Sequence, residues 1–288
     1  MPANLAIRQL LQAATRALEQ VSQSPQLDAQ VLLAHALGVR RAHLQSHGDE
    51  ERSAAEQSTY QRLIEQRAMG EPIAYIIGAK EFWSLELAVS PAVLVPRPET
   101  ELLVERALAR ASTALTRVLD LGTGSGAIAL ALARERPAWQ ITATDVSEPA
   151  LTLARQNARS MDLTRVEFLT GSWFEPLGER CFDLIVANPP YVAADDPLLN
   201  EPPLSYEPRV ALSPDGDALA DLRHIIRLAP EHLVRGGWLL LEHGATQAQE
   251  VARELVVRGF RHVTSRRDLA GYARMVEARW GDSQSPTA

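Results

Sequence analysis

The sequence predicts an α/β protein: a parallel sheet wound by helices on both faces, ending in an antiparallel hairpin and preceded by a small helical domain. Three observations predict it. From Val118 onward, short β-rich runs alternate with helical patterns. The first strand runs into a glycine-rich turn, Gly122 to Gly126, that opens a helix. The first seventy residues carry apolar positions at helical spacing instead.

The helical part comes first. LAIRQLLQAATRAL has a helical apolar stripe, and Ser24-Pro25 opens a second helix through DAQVLLAHALGV, with Ser24 as its cap and Pro25 in its first turn. A third helix is predicted from Ser53 to Met69. These form a helical N-terminal domain over residues 1–72. Residues 73–98, IAYIIGAKEFWSLELAVSPAVLVPRP, mix β-branched and aromatic residues with Gly and Pro, and they predict a β-hairpin linker. A third segment, 99–288, opens with the helix ELLVERALAR. RVLDL, WQITATD, VEFLT, FDLIVA and GWLLLEH then read as strands. AIALALARER, EPALTLARQNARSM and DALADLRHIIRLAPEHL read as helices. FRHVTSRRDLAGYARMVEARW reads as two strands about a turn at Gly271, and the last seven residues as a loose tail.

Composition narrows the function classes. The chain has 288 residues, 46% hydrophobic and 23% charged, which is ordinary for a folded protein of about two domains. A single cysteine, Cys181, excludes an internal disulfide and a Cys-type zinc site; it is read as a small buried core residue. The histidines lack metal-ligand spacing, so no metal is expected. No secretory signal and no run of 18 apolar residues is present, which predicts a cytoplasmic protein without a membrane partner. A net charge of −7 argues against a non-specific nucleic-acid coat, and no direct nucleic-acid partner is expected.

Asp120-Leu121-Gly122-Thr123-Gly124-Ser125-Gly126 follows a strand and precedes a helix. Glycines there let the backbone approach a ligand and expose the helix's first N–H groups. The spacing is G-x-G-x-G rather than the dinucleotide G-x-G-x-x-G, with an acid two residues before the first glycine. It resembles the loop of class I methyltransferases that use S-adenosylmethionine (AdoMet). Asp145 closes the second strand; an acid there accepts hydrogen bonds from ribose hydroxyls, or simply caps the next helix. Trp173 follows the third strand, either as a wall for adenine or as an ordinary core tryptophan.

The fourth strand runs into Asn188-Pro189-Pro190-Tyr191, at the strand end where open α/β sheets bind ligands. The prolines hold a rigid turn. The Asn188 side-chain oxygen and the Pro189 carbonyl offer two acceptors, and Tyr191 a flat face. That set matches a planar –NH₂ group, with two protons to accept and a plane to pack against. Amide and exocyclic amine nitrogens are poor nucleophiles, so orientation supplies most of the rate. No general base is assigned.

DLGTGSG followed by NPPY is shared by amino-group N-methyltransferases. The strings GEPIAYIIGAKEFWSLELAVSPAVLVPRPETELLVE, VLDLGTGSGAIALALA and FDLIVANPPYV resemble the release-factor glutamine methyltransferases of the HemK type, over nearly the whole chain. The resemblance implies a Rossmann-like class I methyltransferase domain. It implies methylation of the N5 amide of the glutamine in the Gly-Gly-Gln motif of class 1 peptide-chain release factors, with AdoMet as donor and S-adenosylhomocysteine as product. It implies that the N-terminal domain docks the release factor. By position, Gly122, Thr123, Gly124, Ser125 and Gly126 would form the AdoMet loop, Asp145 would hold the ribose and Trp173 would contact adenine. Asn188 would touch both AdoMet and the target amide, with Pro189, Pro190 and Tyr191 completing the clamp. One departure is visible: the family often has an acid where this chain has Ser172.

Two rival readings share NPPY. A sister family methylates a glutamine of a ribosomal protein, but its linker usually reads Ser-Pro where this chain has Pro98-Glu99-Thr100-Glu101. Nucleic-acid amine methyltransferases usually add a basic recognition region or flip a base, and no basic block is seen here. His243 ends the fifth strand and is read as structural; Arg97 and Glu99 are either at the mouth of the site or part of the linker's structure.

Overall fold

The computed structural model describes residues 4–111, 116–214 and 216–281. The tail expected over 282–288 lies outside the described residues. The chain forms two compact units, one built from the described residues up to Ala79 with Asn200–Tyr206, the other from Lys80–Leu199 and the described residues from Glu207 onward.

The first unit is a helical bundle. A short antiparallel pair, β1 (Leu5–Ala6) and β2 (Glu51–Arg52), brackets helices α1 (Ile7–Leu18), α2 (Pro25–Leu37) and α3 (Arg41–Ser46). Helix α1 buries Ile7, Leu10, Ala14 and Leu18, one face of a 3.6-residue period, against Ala29, Leu32 and Leu33 of α2. Helix α4 (Ala54–Ala68) completes the bundle. Its Tyr60 hydroxyl donates to the Ala29 carbonyl at 3.0 Å, and its Arg67 meets Asp28 of α2 at 2.8 Å.

The two expected serine caps behave differently. Ser53 caps α4 in a reciprocal box with Glu56. The Ser24 side chain makes no cap bond to the helix backbone; its hydroxyl donates instead to the Asp28 side chain at 3.3 Å. The extended linker expected from residue 73 begins later. Residues 73–77 form a helical turn, α5 (Ile73–Ile77), ended by Gly78 at φ 73°. β-branched content alone does not distinguish a buried short helix from a strand.

The second unit opens with a hairpin, β3 (Ala79–Phe82) and β4 (Leu85–Ala88), turned by Trp83 and Ser84, both at positive φ. A 3₁₀ turn at Pro98–Thr100 leads into α6 (Glu101–Arg110). A seven-stranded sheet follows, with β5 (Arg117–Leu121), β6 (Gln140–Asp145), β7 (Glu167–Thr170), β8 (Phe182–Ala187), β9 (Leu233–Glu242), β10 (Arg261–Arg267) and β11 (Ala273–Arg279). Its order is β10-β11-β9-β8-β5-β6-β7; β11 pairs antiparallel with both β10 and β9, and the other neighbouring strands are parallel.

Period-2 alternation splits the sheet into two buried faces. Val118, Leu184, Val186, Leu240 and Met275 face α6, α7 (Ala127–Glu135) and the hairpin. Leu119, Leu121, Ile185, Leu239 and Val276 face α10 (Ala220–His232) and α11 (Ala248–Arg258). Helix α8 (Glu148–Ser160) supplies Asn157, a buried staple. Its side-chain amide pairs with both backbone groups of Ala88 and donates to the Ser125 carbonyl. A single-turn helix, α9 (Arg209–Leu212), lies between β8 and α10.

Helix α11 is absent from the sequence reading, because its apolar stripe is confined to Val251 and Leu255 while Val256 and Val257 point outward. Helix α3 is likewise too short for a periodic signal. Cys181, expected in the core, is half-buried, since it precedes β8 rather than lying inside it.

Candidate active site

Strands β5, β6, β7 and β8 are adjacent and parallel, so their C-terminal ends open on one edge of the sheet. The chain reverses direction of winding between β5 and β8, the position where such sheets bind ligands. A cavity of about 450 Å³ lies there, within the range for a small-molecule site.

The glycine loop forms one wall. Gly122, Thr123, Gly124 and Ser125 line the cavity. The N–H groups of Gly122 and Thr123 both donate to the Thr144 carbonyl, which ties the loop to β6. A Cβ on Gly122 would sit 3.3 Å from the Trp173 ring, so glycine is what lets the indole lie on the loop. Gly126 does not line the cavity. At φ 85°, with Leu130 3.0 Å and Ala154 3.3 Å from where a Cβ would be, it is a packing glycine between α7 and α8.

Two acids serve the loop. Asp120 is buried; Oδ2 accepts from the Thr123 hydroxyl at 2.6 Å and the Ala129 N–H at 3.2 Å, and Oδ1 has no partner. Burial pushes its carboxyl up to about 7. Asp145 lines the cavity, with Oδ2 accepting from the Gly124 N–H at 2.8 Å and Oδ1 from the Ser147 N–H at 2.9 Å. Burial raises its carboxyl too, against these hydrogen bonds. A carboxylate has about four acceptor positions, so capacity remains for a further donor such as a ribose hydroxyl. Trp173 and Ser172 line the adjoining wall. The Ser172 N–H donates to the Glu175 carboxylate at 3.1 Å.

The tetrapeptide after β8 contributes two residues to the lining. Asn188 and Pro190 line the cavity; Pro189 and Tyr191 do not. Asn188 Nδ2 donates to the Thr100 hydroxyl at 3.2 Å, leaving Oδ1 for another donor. Tyr191 is anchored twice: its hydroxyl donates to Glu242 Oε1 at 3.2 Å, and its carbonyl accepts from Gln247 Nε2 at 3.0 Å. Burial, then the neighbouring Glu242, raises the Tyr191 phenol, so it stays neutral.

Arg97 lines the cavity and pairs with the buried Glu207, which also accepts from the Val95 N–H. Glu99 is exposed and outside the cavity. His243 is fully buried and outside it as well; burial lowers its pKa, and Nδ1 faces the Gly244 carbonyl. The sequence reading omitted Thr100, Val93 and Pro208, which also line the cavity. Thr100 lies in the Pro98–Glu101 string, which marks the family resemblance without marking a ligand, and Val93 and Pro208 carry no motif of their own. Among the described residues no group of His, Cys, Asp or Glu is placed to hold a metal ion, and no helix is long and apolar enough to cross a membrane.

The arrangement suits AdoMet by its donor set. It offers an acid with acceptor capacity for a ribose, an indole beside a glycine loop for a flat base, and an asparagine whose NH₂ is held by Thr100, which leaves its amide oxygen to accept from an N–H donor.

Comparison with known proteins agrees. The family description "PrmC N-terminal domain" matches residues 9–78, and "Methyltransferase small domain" matches residues 98–203. A release factor glutamine methyltransferase of Coxiella burnetii (strain RSA 493 / Nine Mile phase I) is 45% identical over 278 residues, 96% of this chain and 100% of that one. Another, of Xylella fastidiosa (strain Temecula1 / ATCC 700964), is 49% identical over 281 residues, 97% of this chain and 98% of that one. Among solved structures, a methyltransferase from Pyrococcus furiosus shares the fold, with a TM-score of 0.53 at 19% identity over 69% of this chain and 90% of that one.

Proposed function

The chain belongs to the family of release factor glutamine methyltransferases, and from that premise we propose that it transfers a methyl group from AdoMet to the N5 side-chain amide of the glutamine in the Gly-Gly-Gln motif of class 1 release factors. The observation that carries this reading is the convergence on one cavity of the Gly122–Ser125 loop, Asp145 and Asn188.

AdoMet supplies a methyl on a sulfonium, already activated for transfer. The protein's task is therefore to bind, orient and exclude water. Asp145 accepts the ribose hydroxyls and Trp173 walls the base. Asn188 Oδ1 and the Pro189 carbonyl accept the two amide protons, which turns the nitrogen lone pair toward the methyl and raises its electron density. Tyr191, pinned through Glu242 and Gln247, offers its ring to the amide plane. The helical unit, expected over residues 1–72, docks the release factor, and the hairpin expected over 73–98 joins it to the catalytic part. The same reading places the chain in the cytoplasm, with translation termination.

The test is methyl transfer from labelled AdoMet to an intact class 1 release factor, to the same factor with its Gly-Gly-Gln glutamine replaced, and to bulk nucleic acid. Label on the intact factor alone is expected. Label on nucleic acid with none on either factor overturns the reading. Asn188→Ala is expected to abolish transfer with a modest loss of AdoMet affinity, whereas Asp145→Ala weakens AdoMet binding first.

A further inference from the structure

The turn between β10 and β11 stands beside the cavity. In the sheet, Ala187 pairs with Leu241, and Leu241 with Val276. The next row outward holds Asn188, Glu242 and Met275, and Glu242 pairs with Met275 there. The His243 N–H donates to the Arg274 carbonyl at 2.9 Å, which carries the contact one step further. Strands lie about 4.8 Å apart and rise about 3.3 Å per residue. The turn at residues 268–272 is therefore about 10 Å across from Asn188 and about 10 Å beyond it, on the edge where the cavity opens.

This turn is held firmly. The Asp268 N–H donates to the Tyr272 carbonyl, and the Tyr272 N–H to Asp268 Oδ1, both at 2.9 Å. Gly271, at φ 87°, donates to the Asp268 carbonyl at 3.0 Å. Arg274 donates to Asp268 Oδ2 at 3.2 Å, and Arg267 to the Gly271 carbonyl at 2.6 Å. Leu269 has no part in these bonds and is fully exposed. Tyr272 is 58% exposed, with the Arg274 guanidinium 5.8 Å from its ring centre. A single exposed apolar side chain needs no explanation. Here two stand on one fixed turn, rimmed by two arginines, at the edge where the cavity opens.

We propose that this turn is a docking element for the protein substrate, with Leu269 and Tyr272 as apolar anchors for the face of the release factor beside its Gly-Gly-Gln loop. The inference rests on the reading of that factor as the substrate. A factor that brings a glutamine to Asn188 lays its neighbouring surface over the same edge. A standard interface covers about 800 Å² per partner, a disc of about 16 Å radius. Centred on Asn188, that disc takes in the turn, at about 14 Å. The partner face that fits is an apolar depression with carboxylates at its rim, opposite Arg267 and Arg274. A turn already fixed before docking loses little entropy on binding, so its two anchors contribute their burial to affinity.

The experiment measures steady-state methyl transfer to an intact class 1 release factor by the wild type, Leu269→Ser, Tyr272→Ser and Val257→Ser, each with a thermal melt. Val257 is the control: it is 76% exposed, near the end of α11, toward the opposite edge of the sheet. Leu269→Ser should raise KM for the factor about 5- to 30-fold, and Tyr272→Ser about 3- to 10-fold. In both, kcat and KM for AdoMet should hold within about twofold and the melting temperature within about 2 °C, as for other exposed positions. Val257→Ser should match the wild type throughout. If both turn variants keep the wild-type KM for the factor, the turn does not dock the substrate, and the methylation reading stands. A fall in kcat at saturating factor, or a melting temperature that drops with activity, also overturns the proposal, since a docking residue moves KM for the factor alone. An equal rise of KM in Val257→Ser overturns it too, because the place of the turn would then not matter. If the wild type itself leaves the factor unlabelled, the substrate reading fails and the docking element fails with it.

Discussion

Glu242 and Glu277 stand on neighbouring strands of one sheet. Met275 lies opposite Glu242, and Leu240 opposite Glu277, so the two carboxyls project from the same face, two ladder positions apart. Both are buried. Their surroundings differ. Glu277 receives Arg110 at 2.6 Å, Arg106 at 3.2 Å and Arg266 at 2.6 Å. Burial works against its charge, but hydrogen bonds from these three arginines prevail and pull it down to about 2. Glu242 accepts from one hydroxyl, that of Tyr191 at 3.2 Å, and burial pushes it up to about 7, with Glu99 adding to the rise and Arg274 opposing it. Burial sets the cost of a charge, and the donors that other elements bring decide whether it is met. One acid ties α6 to the sheet and holds the edge strand β10 to its neighbour; the other stands behind Tyr191 with its carboxyl raised to about 7.

Four measurements can break or sharpen this contrast. The largest effect should come from Glu277→Gln, which leaves three partly buried guanidinium groups without their carboxylate. Loss of about 2–4 kcal/mol is expected by denaturant unfolding, with the folded enzyme still active. A neutral result would mean that the arginines reach water freely and that the cluster holds nothing together.

Glu242→Gln should act in the opposite direction, with an effect that grows as pH rises above about 4.5. Its carboxyl is raised from 4.5 to about 7, so the unfolded chain releases the proton first. Stability therefore falls as pH rises from about 4.5 through 7. The glutamine variant should gain about 1–3 kcal/mol at pH 8 and nothing at pH 4. Asp120, also raised to about 7, keeps its own slope in that variant, so the curve should flatten without becoming level.

At the acid end the sign reverses. Glu277 is lowered, so its contribution is complete above about 4.5 and disappears as pH falls through about 2. Acid unfolding of Glu277→Gln should lack that limb. The smallest effect belongs to an exposed acid: Glu167 pairs with Arg180 at 2.6 Å, with both side chains nearly half exposed. Glu167→Gln should shift stability by less than about 1 kcal/mol, and less again in high salt.

The same contrast explains what could be read from the residues in order. Strands β5 to β8 and the pair about Gly271 are legible, because alternation and turn chemistry are written locally. The helical turn at 73–77 is not, since its β-branched residues suit either state until Gly78 ends the turn. Gly122 and Gly126 look alike in the loop, yet one faces the cavity under Trp173 and the other packs two helices. Asn188 is legible through its tetrapeptide. Thr100, 88 positions away, is not.

The sequence by itself determined the class of fold, the loop, the clamp motif and the family resemblance, because each is carried by contiguous residues whose backbone preferences and chemistry act locally. Tertiary structure alone decided the charge states and the direction of the hydrogen bonds. Glu242 in LLLEH and Glu277 in MVEAR are both single acids in apolar strands. What separates them is Arg106 and Arg110 from a helix about 170 positions away, at separations of 171 and 167, against the single hydroxyl of Tyr191 that reaches Glu242. A carboxyl's ionisation is set by the donors within a few ångströms, and only the folded chain chooses those.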